Sequence, residues 1–234
     1  MSESDAAAER LVAVDCHVHT VHSGDSVLRV DQLGEAVSRA GLDVVCITDH
    51  HAVDGGYEAL GAGIGARVVI GEEIRTPKGE IIGLFLTERI PYVLQPREVI
   101  QLIREQGGLV YVPHPLDPER LGMRADTIRE LHAEGLIDVI EGFNAKIEHQ
   151  LYNEQARQLA EELGLPQAAG SDAHDPQGVG AARVVMPDFD GPESFLRGLA
   201  AGRVSGVFTP HARRYGANTS TVPAATSSSI SDSE

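Results

Sequence analysis

Two histidines, His17 and His19, follow the apolar run at residues 11–14 with a spacing of two. A short apolar run with polar flanks is typical of a buried strand, and residues two apart on an extended backbone project to the same face. Two imidazoles on one face at a strand end supply two nitrogen ligands for a metal ion. A single His-x-His pair is a weak signal, so the other strand ends must supply further donors.

The same pattern, an apolar run followed by a histidine or a carboxylate, recurs along the chain. Besides the first pair, the residues in such positions are Asp49, His50, His51, Glu72, Glu73, His114, Glu141, Asp172 and His174. In a parallel β/α barrel the carboxyl ends of the strands share one face, where active sites are built. Chance explains one or two such placements but not a nearly complete ring.

The chemistry of these donors indicates metal-dependent hydrolysis. Nitrogen and carboxylate ligands without paired thiols suit zinc, manganese or iron. The donors exceed what one tetrahedral ion needs, so two or three divalent ions are expected. Multinuclear sites generate hydroxide at neutral pH and clamp the oxygens of a phosphoryl group. Hydrolysis of a phosphate ester therefore fits the residues best.

The elements that must position these residues alternate between short apolar strands and amphipathic helices. In the helix predicted over residues 30–41, Leu33, Ala36 and Val37 fall at helical spacing and Gly41 ends the helix. This alternation predicts parallel βαβ units. About seven units favour a closed barrel over an open sheet, and neither a dinucleotide fingerprint nor a Walker-type loop supports the open-sheet alternative. Predicted strands on either side of the turn at 77–79 suggest a hairpin-like insertion.

The composition of the chain limits where the protein is expected to act and what it is expected to bind. The chain has 234 residues, 42% of them hydrophobic, and a formal net charge of −16. That charge argues against nonspecific binding to nucleic acid or to anionic membranes. Neither a leader-like apolar segment nor a membrane span is predicted, and two cysteines in core strands indicate no disulfide framework. We therefore expect a cytoplasmic barrel domain over residues 11–211 between disordered segments at 1–10 and 212–234.

Five motifs in order resemble the PHP (polymerase and histidinol phosphatase) family. They are Asp15-Cys16-His17-Val18-His19-Thr20, Ile47-Thr48-Asp49-His50, Gly71-Glu72-Glu73-Ile74, Pro113-His114-Pro115 and Gly170-Ser171-Asp172-Ala173-His174. Together they cover roughly residues 11–210. The resemblance implies a distorted (β/α)7 barrel of parallel strands with outer helices, a trinuclear metal centre and metal-dependent phosphoesterase activity.

The resemblance also implies a ligand set. His17, His19 and Asp172 would bind the first metal, His114 would bind the second, and Glu73 would bridge two ions. The third metal would be held by Asp25, His50 and His174.

One position departs from the family pattern. Many members have a histidine in the strand after the bridging glutamate, and this chain has Glu80 there. Either Glu80 replaces that ligand, or the second metal site is weaker or differently occupied.

On this hypothesis, a metal-bound hydroxide attacks the phosphorus of a small phosphorylated metabolite. The general acid for the leaving group is His174, His51 or a metal-bound water. Asp49 is grouped with these catalytic residues, and its position favours orienting a neighbouring histidine over binding a metal. Glu141 either supports the site by hydrogen bonding with Asn144 or takes a direct role. One or two basic residues near strand ends are expected to pair with the substrate phosphate; the candidates are Arg75, Lys78, Arg120, Arg124 and Lys146.

Three other functions stay open. A non-catalytic, regulatory PHP barrel would not need so complete a ligand set. An amidohydrolase-like C–N hydrolase often uses a lysine that bridges two metals, and Lys146 is the candidate near a strand end. A nuclease-like phosphodiesterase is disfavoured by the net charge of −16.

Overall fold

The computed structural model describes residues 10–209. Its strands are β1 (Leu11–Val18), β2 (Val44–Ile47), β3 (Arg67–Thr76), β4 (Gly79–Leu84), β5 (Leu109–Val112), β6 (Val139–Asn144), β7 (Gln167–Gly170), β8 (Ala182–Pro187) and β9 (Arg203–Gly206). Its α-helices are α1 (Val30–Ala40), α2 (Asp54–Ala62), α3 (Pro96–Glu105), α4 (Ala125–Ala133), α5 (Leu151–Leu163) and α6 (Pro192–Ala201), and two short 3-10 helices span Val21–Ser23 and Pro118–Arg120. The predicted disordered segments lie largely outside the described residues.

The strands form one sheet in the order β7-β6-β5-β4-β3-β2-β1-β8-β9, which curls into a nearly closed barrel with the helices outside. The barrel closes where the segment after β7 pairs in parallel with the end of β1. There the amide of Asp172 donates to the carbonyl of His17 at 2.8 Å, and the amide of His19 donates to the carbonyl of Ala173 at 3.0 Å. This closure brings the first and last motifs of the chain side by side.

The prediction of an α/β barrel is confirmed, whereas the prediction of parallel strands is matched only in part, because the sheet is mixed. Strands β1, β2 and β3 are parallel, as are β5, β6 and β7. Strand β4 is antiparallel to both β3 and β5, and β8 is antiparallel to β1 and β9. The physical reason at β4 is the turn between Thr76 and Gly79, which is too short for the crossover that parallel strands require. The predicted hairpin-like insertion is therefore confirmed.

The outer helices pack through narrow apolar faces, as α3 illustrates. Val99, Ile100 and Ile103 are fully buried against the sheet, while Arg97 and Arg104 pair with carboxylates at the surface. Burying each such apolar side chain stabilises the fold by roughly 1.5–3 kcal/mol. These contacts fix the helices on the sheet and leave the strand ends free to carry polar residues.

Two smaller predictions concern the cysteines and the membrane. Cys16 and Cys46 are buried and unpaired in β1 and β2, as expected for thiols in core strands. Within residues 10–209, no helix combines the length and the apolar character that crossing a bilayer requires.

Candidate metal centre

The rim of the barrel gathers all nine residues predicted as metal ligands into one cluster. His17 lies in β1 and His19 directly follows that strand, and the loops after β2, β5 and β7 carry His50, His114, Asp172 and His174. Glu73 lies in β3, Glu80 in β4 and Asp25 in the loop before α1. Nearly all of these side chains are buried. The donor atoms of eight of them, all except Asp25, form four overlapping groups, and within each group the atoms lie within 4.8 Å of one another.

The first group centres on His17 and His19, whose Nε2 atoms lie 2.9 Å apart. Oε2 of Glu73 lies 3.5 Å from the His17 nitrogen and 3.2 Å from the His19 nitrogen. Oδ1 of Asp172 lies 3.8 Å from the His17 nitrogen and 3.5 Å from the His19 nitrogen. Two nitrogens that bind one ion at roughly 2.1 Å each can lie about 3 Å apart, so these four donors have the spacing of a shared ligand set.

The hydrogen bonds of these two histidines assign their tautomers. Nδ1 of His17 contacts the carboxylate of Glu141 at 3.1 Å and therefore carries the proton. Nδ1 of His19 contacts Oγ of Ser23 at 2.8 Å, and that hydroxyl already donates to Asp49 at 3.0 Å, so it must accept from His19. The two Nε2 atoms then face each other at 2.9 Å, which requires positive charge between them, either a proton on His17 or a metal ion.

The carboxylates around His17 also favour a positive charge at its ring. Burial lowers its pKa, but the carboxylates of Glu73, Asp172 and Glu141 outweigh burial and hold the pKa well above its usual value. By contrast, burial lowers the pKa of His19 and that of His50 to about 4. Those two imidazoles are therefore neutral at neutral pH, which is the form that binds metal.

The second group joins Glu73 and Glu80 to His114. Nε2 of His114 lies 2.9 Å from Oε1 of Glu73 and 3.8 Å from Oε2 of Glu80. Glu80 is fully buried and reaches the rim because β4 runs antiparallel, so that its first residues lie where the parallel strands end. The departure from the family pattern thus places a carboxylate among the donors.

The third group contains the three imidazoles of His19, His50 and His174, and the carboxylate of Asp25 lies beside it. The ring of His19 lies 4.6 Å from that of His50 and 4.4 Å from that of His174, between centroids. Asp25 approaches His50 at 3.6 Å and His174 at 3.5 Å. Oδ1 of Asp25 and Nδ1 of His50 are buried and make no hydrogen bond to any residue described. Buried polar atoms are normally satisfied, so these two atoms fit ligands of an ion.

Glu141 supports the cluster from behind. Its carboxylate accepts hydrogen bonds from the hydroxyl of Tyr111 at 2.6 Å, the amide of His114 at 2.5 Å and the side chain of Asn144 at 3.0 Å, besides its contact with His17. The hydrogen-bonding interpretation with Asn144 is confirmed. A carboxylate behind a ligating imidazole fixes the ring and raises its basicity.

Asp49 also lies behind the donors. It accepts hydrogen bonds from the amide and hydroxyl of Thr20, at 2.5 and 2.8 Å, and from Ser23, which contacts His19. A Cβ on Gly55 would collide with Asp49 and Thr20, so the chain needs glycine there. Asp49 therefore positions Ser23 and, through it, His19. Glu72, which precedes Glu73 in the chain, faces away from the donor cluster, and its carboxylate accepts a hydrogen bond from the amide of Ile90 at 2.7 Å.

Several residues at the rim adopt left-handed backbone conformations that side chains rarely tolerate. The φ angle is 25° at His114, 52° at Asp172 and 54° at His51. Such strain costs on the order of 1–3 kcal/mol per residue and concentrates at functional sites. At Gly170, a Cβ would meet His17 and Glu141, so close packing there requires glycine.

Two cations that the ligand prediction did not include lie against the cluster. Nζ of Lys146 is buried 3.1 Å from Asp172 and 2.8 Å from Nδ1 of His174. Arg120 approaches Asp172 at 3.3 Å and donates to the carbonyl of Lys146 at 2.6 Å. Burial raises the pKa of Asp172, but Lys146, His17 and Arg120 outweigh burial and hold it well below the usual value.

His51 lies just outside the donor groups. Its ring centroid is 6.2 Å from that of His50, and the ring packs on Tyr92 at 4.8 Å. Burial and the neighbouring charges of His50 and Arg75 lower its pKa to about 4. Of the two predicted proton donors, His174 is therefore inside the cluster and His51 borders it.

Comparisons with known proteins agree with this geometry. The PHP domain model matches residues 15–165, and a PHP-associated model, PHP_C, matches residues 150–204. The uncharacterized protein MJ1587 of Methanocaldococcus jannaschii is 43% identical over 145 residues, covering 56% of this chain and 81% of the relative. MJ0417 of the same organism, also uncharacterized, is 34% identical over 192 residues, covering 78% and 77%.

A solved structure shares the fold. The crystal structure of a two-domain protein from Bacteroides vulgatus, described as containing a predicted PHP-like metal-dependent phosphoesterase, superposes with a TM-score of 0.72 at 17% identity. The match covers 85% of this chain and 66% of that chain. Fold and rim together define an α/β barrel with a cluster of potential metal ligands at the carboxyl ends of its parallel strands. The chain belongs to the PHP domain family.

Proposed function

We propose that this protein is a metal-dependent phosphoesterase that hydrolyses small phosphorylated metabolites at a centre of three divalent ions. The observation that carries the proposal is the 2.9 Å contact between Nε2 of His17 and Nε2 of His19 beside the carboxylate of Glu73. With both Nδ1 atoms already donating, the two Nε2 atoms can lie this close only with a cation between them, and the nearby carboxylates of Glu73 and Asp172 would supply the further ligands of a metal ion. Manganese, zinc or iron suits the nitrogen and carboxylate donors.

The residues divide into three ligand sets. His17, His19 and Asp172 would hold the first ion, and His114 and Glu80 the second, with Glu73 between the two. His50, His174 and Asp25 would hold the third. When bound, the ions supply Lewis-acid charge to phosphoryl oxygens and generate a hydroxide nucleophile at neutral pH.

The surrounding residues orient the ligand side chains and provide positive charge for the substrate. Glu141 holds the ring of His17, and Ser23 with Asp49 holds that of His19. Lys146 and Arg120 supply positive charge beside Asp172, where it would also attract a substrate phosphate.

His174 belongs to the proposed third ligand set, whereas His51 lies outside the donor groups and is the side chain placed to contact the leaving group. A cytoplasmic location, with neither membrane nor bulk nucleic acid as partner, remains a prediction from the sequence.

Elemental analysis of the purified protein, coupled to a panel of phosphorylated metabolites, tests the proposal. We expect two or three divalent ions per chain and phosphate release that requires them. The variants His17→Ala, His114→Ala and Asp172→Ala should each lose turnover. His132→Ala, on the outer helix α4, should keep it. Folded variants that retain near-wild-type phosphatase activity, or a wild-type protein inactive after manganese and zinc addition, would refute the proposal.

A C–N hydrolase is the second candidate, and one observation favours it. Lys146 is buried beside Asp172 and His174, where a metal-bridging lysine would have to lie. However, its 3.1 Å pairing with Asp172 is that of an ammonium group, which cannot bridge two cations. Amide substrates in the same panel separate the two functions, and we expect turnover of the phosphate esters alone.

A further inference from the structure

A cleft of about 690 Å³ opens beside the donor cluster. Its lining residues are His51, Arg75, Thr76, Pro77, Tyr92 and Val93. Two of them touch the cluster: His51 directly follows His50, and Nη2 of Arg75 lies 3.4 Å from Oε1 of Glu80. Through these two residues the cleft borders the proposed catalytic centre.

The wall of the cleft is aromatic and apolar, although the chain is strongly acidic. Tyr92 is 53% exposed and Val93 is 78% exposed, and Pro77 at the tip of the β3–β4 hairpin also lines the cleft. Small-molecule sites are typically concave, of roughly 300–1,000 Å³, and lined by apolar and aromatic groups with a few polar ones. This cleft has that size and composition.

The ring of Tyr92 is held in place. It packs on the imidazole of His51 with centroids 4.8 Å apart and planes tilted by 34°, and the guanidinium of Arg89 lies 5.6 Å from its centroid. The next residue, Val93, has a φ of 70°, an outlier for a β-branched residue. Strain of this kind persists where surrounding structure over-determines it, often at ligand-binding segments.

We propose that this cleft binds the leaving group of the substrate and that the leaving group carries a planar ring. The inference rests on the proposed phosphoesterase function and narrows its substrate class. A sugar or amino-alcohol phosphate would leave Tyr92, Val93 and Pro77 in water. A flat ring would cover them and pack against Tyr92, while Arg75 at the inner end lies closest to the phosphoryl group.

Matched substrate pairs test the inference in the full-length, metal-loaded protein. Benzyl phosphate is compared with ethyl phosphate, and a nucleoside 5′-monophosphate with ribose 5-phosphate. The ring-bearing member of at least one pair should have a KM at least about fivefold lower, the factor expected for one aromatic contact. A preference in the first pair alone indicates a ring close to the phosphate, and in the second alone a ring carried on a ribose.

Variants of Tyr92 separate the cleft from the catalytic centre. Tyr92→Leu should raise the KM of the preferred ring-bearing substrate about fivefold while leaving its kcat and the KM of the ringless partner unchanged. Tyr92→Phe keeps the ring and should behave as wild type. Tyr57→Leu, at an exposed tyrosine on α2 outside the cleft, should change neither constant.

A binding measurement keeps this inference distinct from the proposed function. Calorimetry with benzylphosphonate and ethylphosphonate requires no turnover. Tighter binding of benzylphosphonate that Tyr92→Leu abolishes supports the cleft even if no phosphate ester is hydrolysed. Equal KM values and equal binding within every pair, or a Tyr92→Leu effect of the same size on both members, would overturn the inference while leaving phosphoesterase activity intact.

Discussion

Nδ1 of His17 lies 3.1 Å from Oε1 of Glu141, across a sequence separation of 124 residues. His17 belongs to β1 and Glu141 to β6, and the two strands approach only because the barrel closes through β7. The contact fixes the imidazole proton on Nδ1 and leaves Nε2 for a metal. The closure of the sheet thus determines which ring nitrogen of His17, a proposed ligand, carries the proton.

Replacing Glu141 with glutamine should weaken metal binding without unfolding the protein. The side chain keeps its shape, but its amide nitrogen would face a donor, either Tyr111 and His17 on one side or Asn144 and the amide of His114 on the other. Loss of such a supporting carboxylate typically lowers metal affinity about 10- to 100-fold. Titration of the metal-free protein with zinc or manganese measures the change.

The control for this substitution is Glu134→Gln, at an exposed glutamate that pairs with Arg97 on the outer surface. It removes a carboxylate of the same type far from the rim and should leave metal affinity unchanged. If Glu141→Gln bound metal as tightly as this control, the positioning role assigned to Glu141 would be wrong.

Glu80 is expected to complete the second ligand set. Its carboxylate is buried 3.8 Å from Nε2 of His114, at the position where many family members have a histidine. Glu80→Ala should lower the number of bound ions by about one, as measured by elemental analysis after dialysis. Glu80→His should restore that ion, since an imidazole is the ligand that the family uses there.

The comparison for Glu80 is Glu72→Ala, because Glu72 is also buried and lies beside Glu73 but faces the amide of Ile90. Its loss should lower stability and leave the ion count intact. An unchanged ion count in Glu80→Ala would instead favour a second site completed without this residue.

The sequence located most of the rim for a simple physical reason. Parallel strands point their carboxyl ends to one side, so ligand-type residues after β1, β2, β5 and β7 had to meet. Glu80 escapes that rule because β4 is antiparallel and presents its first residues to the rim. It was found only through its place after the bridging glutamate in the family pattern.

Other features could not be read from the sequence at all. Lys146 follows β6 by two residues and was predicted only as a contact of the substrate phosphate or as a metal-bridging lysine, so its ion pair with Asp172 was not expected. The tautomer of His17 depends on Glu141, and the cleft depends on Tyr92 lying over His51. These contacts join distant segments, and their distances follow from packing rather than from spacing.

Removing the ions should destabilise the fold. The rim brings Glu73 close to Glu80 and Asp172 in a buried space, and a bound cation would offset their mutual repulsion. Saturation at a hundredfold excess over Kd stabilises by about 2.7 kcal/mol, which corresponds to roughly 5–10 °C in Tm for a chain of this size. Scanning calorimetry with and without chelator measures the shift, and His17→Ala should show a much smaller response.

Two glycines of α2 provide the final test, because they occupy one helix but face different surroundings. A Cβ at Gly55 would collide with Asp49 and Thr20, whereas at Gly61 nothing lies within 4 Å. Gly55→Ala should therefore destabilise the protein by about 1–3 kcal/mol and, by displacing Asp49 from Ser23, weaken metal binding at His19. Gly61→Ala should stabilise it by roughly 0.5 kcal/mol, since alanine favours the helix. Denaturant unfolding and metal titration check both variants; if they gave the same sign, Asp49 would not hold the position described.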